Sequence, residues 1–278
     1  MKLNIVPAST GMTWVRLGIK TFMQQPLAMS GLFFLYLAAV TVLSLIPVVG
    51  LLLAFMVVPA AMLGLMAATQ EAVKGKFPMP TVLLSAFRAG RERLGAMLVL
   101  GALYAAFCVL INWMVPMLVD PPVAADATRE AMMTPQFQLA MLKNMSVSLL
   151  LYLPVLLLFW HAPALVHWHG VSPVKSLFFS VVACVRNAGA FLMFGFGWFV
   201  VSMALAIVLS VLAGLTGSAD FMAAAMMPLA LLIAAMFSTS IYFTFRDSFV
   251  ATVPGDPPDG AESTENTHND PATPGDAS

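Results

Sequence analysis

Charge is what this chain lacks most. Only 9% of its 278 residues are Asp, Glu, Lys or Arg, against 60% hydrophobic residues and a mean hydropathy of +0.92. A soluble globular protein carries about 25% charged residues, so the surface of a water-exposed domain of this size could not be solvated. That shortage excludes a soluble enzyme, a nucleic-acid binder and a disordered chain. An excess of one sign is lacking too: thirteen Lys and Arg balance thirteen Asp and Glu, so no polyanionic partner is implied. Cysteine is as scarce. Cys108 and Cys184 stand apart in apolar surroundings, which supports neither a disulfide framework nor a zinc site. No cleavable leader is expected either. Lys2, Arg16 and Lys20 punctuate the first 26 residues, and no apolar core of about 7–15 residues precedes a small-residue cleavage site.

What the chain does have is long apolar runs. A helix needs about 20 apolar residues to cross roughly 30 Å of hydrocarbon. Six segments reach that length, at 27–46, 50–69, 95–119, 147–168, 190–214 and 221–245. Between the first two lies only Pro47-Val48-Val49-Gly50, where Pro and Gly suit a tight hairpin. A single helix spanning both runs would be far too long for a bilayer. The expected fold is therefore all-α, a six-span transmembrane helical bundle over residues 1–250. Eleven of the thirteen Lys and Arg fall on one side of it: before span one, between two and three, between four and five, and after six. Arg129 and Lys143 fall on the other. Basic loops stay in the cytoplasm, so the expectation is a multi-pass membrane protein with both termini cytoplasmic.

The spans fall into three similar units. Each odd-numbered span follows a stretch with helical amphipathicity. Thr13, Arg16, Lys20 and Gln24 oppose Val15, Ile19, Phe22 and Met23; Thr81, Ser85, Arg88 and Glu92 oppose Val82, Leu83, Ala86 and Phe87; Ser172, Ser176, Ser180 and Asn187 oppose Val174, Phe178, Val181 and Val185. Such helices lie in the headgroup plane with their apolar faces inward. Pro80 and Arg93 have the same separation as Pro173 and Arg186, and the even-numbered spans share Pro59, Pro163 and Pro228, which can kink their helices. Ala60-Gly64-Ala68 and Gly101-Ala105 offer small-residue contact surfaces. The expectation is three repeats of a cytoplasmic interfacial helix plus a transmembrane hairpin. Two segments stand outside the core. In the loop at about 120–146, Thr134-Pro135 suits the start of a short helix. The tail 251–278 holds six acidic residues and no Lys or Arg, and is expected to be a disordered cytoplasmic extension.

Chemistry is hard to find. The spans hold no Asp, Glu, Lys or Arg away from their ends, which argues against an ion-driven pump. No phosphate-binding loop, nucleophile elbow, zinc-protease helix or pair of catalytic carboxylates is present. Ser238, Thr239, Ser240 and Thr244 are expected to bond within their own helix, and Arg246-Asp247 to mark the cytosolic boundary. The exception is a cluster of histidines, His161, His167 and His169, beside Trp160 and Trp168. A metal or haem reading competes with interfacial anchoring. On one continuous helix at about 100° per residue, His161 and His167 lie about 240° apart and do not share a face. No catalytic residue, metal ligand or cofactor is assigned.

The pattern Phe159-Trp160-His161-Ala162-Pro163-Ala164-Leu165-Val166, followed by His169-Gly170-Val171-Ser172-Pro173, Ser180 and Arg186-Asn187, resembles a Gram-negative bacterial family of polytopic inner-membrane proteins without an assigned function. Val6-Pro7-Ala8, Gly11, Trp14-Val15-Arg16 and Gly18 add to the likeness. That family is distantly similar to the membrane domain of glycerophosphodiester phosphodiesterases. The resemblance covers about residues 5–250 and implies an inner-membrane helical bundle. It brings no catalytic residues, because the phosphodiesterases' hydrolytic domain has no counterpart in this sequence.

The favoured expectation is a non-enzymatic protein that handles or shields a lipid or other apolar substrate, or supports envelope organisation. Its partner would be membrane lipid, and nucleic acid is excluded. The alternatives are a structural subunit that packs on a membrane-protein partner or a second copy of itself, and a haem- or metal-binding protein using the His161–His169 stretch. Topology is directly testable. A cytoplasm-active fluorescent reporter fused at either terminus is expected to glow, and a periplasm-active phosphatase reporter at the same points to stay silent; the reverse result would invert the bundle.

Overall fold

Apolar periodicity resolves into helix along nearly all of the computed structural model, which describes residues 2–121, 129–216 and 219–250. The tail 251–278 lies outside these residues, as does the part of the 120–146 loop at 122–128. A two-residue strand β1 (Lys2–Leu3) leads into α1 (Thr10–Gln24), α2 (Pro26–Ser44) and α3 (Gly50–Val73). A 3-10 helix (Pro80–Leu84) and α4 (Ser85–Arg88) come next, then α5 (Arg91–Leu118) and α6 (Arg129–Met132). The chain continues through α7 (Pro135–Phe159), α8 (Ala162–His169), α9 (Pro173–Arg186), α10 (Ala188–Thr216) and α11 (Ala219–Ser248), and ends in β2 (Phe249–Val250). Among the described residues six stretches are long and apolar enough to cross a membrane: α2, α3, α5, α7 with α8, α10 and α11. β1 and β2 pair antiparallel, Lys2 opposite Val250 and Leu3 opposite Phe249. Both ends of the bundle therefore meet on one side, here called the terminal end.

The segment before each hairpin packs on the hairpin that precedes it, in a cycle. The 3-10 helix and α4 lie on α3, α9 lies on α7 and α8, and α1 closes the cycle by packing on α10 and α11. Small residues make these approaches close. A Cβ added to Gly11 would collide with the Ala190 carbonyl, and one on Gly18 with Ser240. Gly64 lies under the Leu83 backbone and Gly101 under that of Met56, so the stripes read from the sequence are helix contacts. On α1 the expected polar residues Thr13, Arg16, Lys20 and Gln24 are all exposed. Its buried face, however, is centred on Trp14, Val15 and Phe22, and Met23 points outward.

Two expectations need correction. The second amphipathic segment is not a helix like α1 or α9. Proline opens it as a 3-10 turn, α4 lasts one turn, and Gly90 at φ 94° ends it. Arg186 consequently closes α9, whereas Arg93 opens α5, so the equal spacing of these arginines from Pro173 and Pro80 does not mark equivalent positions.

The fourth span is the other correction. It begins at Pro135, where Thr134 caps α7 by accepting from the Phe137 N–H at 3.4 Å, and it is broken at Trp160-His161. Proline has no N–H to donate and its ring collides with the carbonyl four residues back; Pro163 sits in the first turn of α8, immediately after the break. At Pro59 and Pro228 the helices run on without interruption. Of the three prolines expected to kink even-numbered spans, only Pro163 coincides with a break. Ser180 of α9 repairs it. Its hydroxyl accepts from the His161 N–H at 3.0 Å and donates to the Leu157 carbonyl at 2.7 Å, bridging the two groups that an unbroken helix would have joined. Gly170, left-handed at φ 65°, ends α8.

Ser180→Ala would orphan a buried N–H and a buried carbonyl together. It is expected to cost about 1–3 kcal/mol, read as a lower thermal midpoint of the detergent-purified protein; an unchanged midpoint would show that the hydroxyl bridge carries no stability.

Candidate functional site

Polar groups within hydrocarbon must find partners inside the protein, and one stripe of α11 supplies many of them. Ser238, Thr239, Ser240 and Thr244 each donate to a carbonyl three or four residues back, as the sequence leads one to expect. Two of these hydroxyls also accept an indole N–H. Trp160 Nε1 donates to Thr244 Oγ1 at 2.9 Å and Trp198 Nε1 to Ser240 Oγ at 3.2 Å. One turn further on, Trp14 Nε1 donates to Asp247 Oδ2 at 2.9 Å. Positions 240, 244 and 247 share a helical face, so indoles from α1, the α7–α8 break and α10 all end on it. Phe191 and Phe194 fill the space between Trp14 and Trp160, with ring centroids 5.4–6.2 Å apart, and Phe237 packs against Trp160 and Trp198.

At the terminal end Asn187, just past α9, ties three segments together. Its Oδ1 accepts from the Val6 N–H at 2.9 Å, and its Nδ2 donates to the Asn4 carbonyl at 3.1 Å and to Ser248 Oγ at 3.5 Å. Asn4 in turn donates through its backbone to the Ser248 carbonyl and through its side chain to the Asp247 carbonyl, both at 2.9 Å. Asp247 also pairs with Arg246 at 2.7 Å. This sequence pair is therefore an anchor for the N-terminal segment as well as a helix end.

The histidines separate. His161 lies in the break, fully buried, its ring 5.8 Å from Phe191, 5.9 Å from Phe245 and 5.4 Å from Phe249; neither ring nitrogen has a hydrogen-bond partner. His169 also packs on Phe245, with ring centroids 5.9 Å apart, so that this ring lies in contact with both imidazoles. His167 stacks edge-on with Trp168 and lines a basic cleft with Arg93, its Nδ1 unpartnered. The angular argument for a continuous helix does not apply, because the break sets His161 apart from α8. Among the described residues no three His, Cys, Asp or Glu side chains gather closely enough to hold a metal ion. Cys108 and Cys184 are buried free thiols; burial pushes Cys184 up to about 12, which keeps it a protonated, unreactive thiol.

Two other cavities are apolar. One groove of about 400 Å³ is walled by Leu35, Tyr36 and Ala39 of α2, Val57 and Ala61 of α3, and Leu83 of the 3-10 helix. A second, of about 260 Å³, lies between Met62, Tyr104, Tyr152, Leu153, Phe159 and Trp160. Both are lined almost wholly by carbon. Sequence reading did not find them, since each is built from ordinary span residues brought together only by packing. The one usable signal was the Thr81-Ser85-Arg88 stripe, whose segment roofs the first groove.

His161→Phe removes two buried nitrogens that no partner satisfies and keeps the ring among Phe191, Phe245 and Phe249. We expect a stability gain of about 1–3 kcal/mol, visible as a raised thermal midpoint; a fall would reveal a hydrogen bond that the ring depends on.

No protein-family model and no solved structure matches the chain. A probable inner membrane protein of Burkholderia thailandensis is 37% identical over 267 residues, which is 92% of this chain and 97% of that protein. Likeness at that level runs through all six apolar helices and their connections, and the chain accordingly belongs to the same family as this Burkholderia protein.

Proposed function

We propose that this is a non-enzymatic, multi-pass inner-membrane protein, both termini cytoplasmic, that shelters or moves lipid or another apolar molecule. The groove between α2, α3 and the 80–87 segment carries the reading. Its volume of about 400 Å³ suits part of an acyl chain, and its wall residues belong to membrane-spanning helices, where lipid chains are the surrounding solvent. The name of the Burkholderia relative supports the location, and the basic residues around the terminal end support the orientation. The uncharged spans fit a cargo that needs no ion gradient at its binding site. The distant likeness to the membrane domain of glycerophosphodiester phosphodiesterases enters this reading as a likeness of membrane architecture, with no activity attached.

Filling the groove tests the proposal. The wild-type protein, gently purified and examined by native mass spectrometry, is expected to retain lipid, and Ala39→Trp to lose most of it at an unchanged thermal midpoint. A wild-type protein that carries no lipid, or a variant that carries as much, would remove the basis for the reading.

A further inference from the structure

Above the apolar groove, at the terminal end, lies an open cleft of about 630 Å³ of opposite character. Lys76, Arg88 and Arg93 line it, with Glu71 as the opposing charge. Among the described residues none of these four side chains forms an ion pair, so the cleft presents uncompensated positive charge. It also collects unsatisfied polar atoms. Ser85 Oγ and His167 Nδ1 are both buried without a hydrogen-bond partner, and both belong to residues of this one cleft. Unpartnered polar atoms beside cations without ion pairs suit an anion with several acceptor oxygens.

Cleft and groove are neighbours. Thr81 is exposed and lines both, with Val82 on the cleft side and Leu83 on the groove side, so the two linings meet at the surface over the 80–88 segment. Along α3 the order is Glu71 in the cleft, Gly64 beneath Leu83, and Val57 in the groove. Each step of seven residues is about 10 Å of helix. A charged end and an apolar end thus lie about 20 Å apart along the span axis, about half the thickness of a bilayer with its headgroups, which is the separation of a phosphate group from the far end of its acyl chains. The charged end sits beside the short α4 and the start of α5, and the apolar end between two membrane helices. This polarity follows that of one bilayer leaflet.

We propose that the two cavities are one site for an anionic phospholipid, its phosphodiester held by Arg88 and Arg93 with Ser85 and His167 completing its hydrogen bonds, and one acyl chain lying between α2 and α3. This rests on the lipid reading above and adds headgroup selection to it. Glu71 sets the charge balance: three cations against one carboxylate favour a headgroup with net negative charge over a zwitterionic one. Guanidinium groups match phosphate oxygens in pairs, which makes the two arginines the principal determinants.

The test uses the delipidated full chain in detergent, titrated with phosphatidylglycerol, phosphatidylcholine of the same acyl chains, or inorganic phosphate, with thermal midpoint and native mass spectrometry as readouts. Phosphatidylglycerol is expected to bind at least ten-fold more tightly than phosphatidylcholine. The double variant Arg88→Gln, Arg93→Gln is expected to lose that preference while its lipid-free midpoint stays at the wild-type value, both side chains being exposed. Lys76→Gln, a change confined to an exposed loop residue, is expected to weaken it in the same direction, and serves if the double variant does not fold. Equal binding of the two lipids, or an undiminished preference in both variants, would overturn the proposal and leave the lipid reading standing. Inorganic phosphate displacing phosphatidylglycerol at comparable concentration would make the cleft a soluble-anion site and overturn it too. A wild-type protein that binds neither lipid would bring down both readings.

Discussion

The hydrocarbon core of a membrane offers no hydrogen bonds, and this structure is organised around that fact. Its three largest buried donors outside the backbone are indole N–H groups, and each of them ends on the same face of α11, at Ser240, Thr244 and Asp247. An indole buries a large apolar body at the cost of one polar atom that must be satisfied. Grouping the acceptors on one helix lets α1, the α7–α8 junction and α10 be located by directional bonds, where apolar packing alone would leave them free to slide. The aromatic cluster between them then fills to the same register. Without the hydroxyl stripe the three helices would share a greasy surface and no fixed alignment.

The break in the fourth span is governed by the same constraint. The span is interrupted just before Pro163, and an interruption in lipid exposes a donor and an acceptor. Ser180 answers both with one hydroxyl, so the defect is tolerated only because α9 lies alongside. This gives physical content to residues that the sequence reading could quote only as a pattern. Trp14, Ser180 and Asn187 all appeared in the family likeness, and each proves to be the point where a polar atom crosses from one element to another.

Legibility in the sequence follows from the range of the interactions. The six spans were readable because their apolar length is a local property, and the hydroxyls of α11 because they bond within one turn. Break and cleft were not. Pro163 was visible, yet its effect depends on a serine 17 positions away in the chain and on the neighbouring helix, and identical prolines at 59 and 228 leave their helices whole. The amphipathic stripe of Thr81, Ser85 and Arg88 could be seen, but as a surface helix. That it lines both a basic cleft and an apolar groove needed the position of Gly64, which lets Leu83 lie against α3.

The pairing of Lys2–Leu3 with Phe249–Val250 has a consequence for biogenesis. α1 is among the first elements to leave the ribosome, yet the surfaces it docks on, α10 and α11, are the last to be inserted. Until then Trp14 has no acceptor and the glycine face of α1 has nothing to lie against. During synthesis α1 must therefore stay at the membrane surface while the six spans insert, so its seating follows theirs.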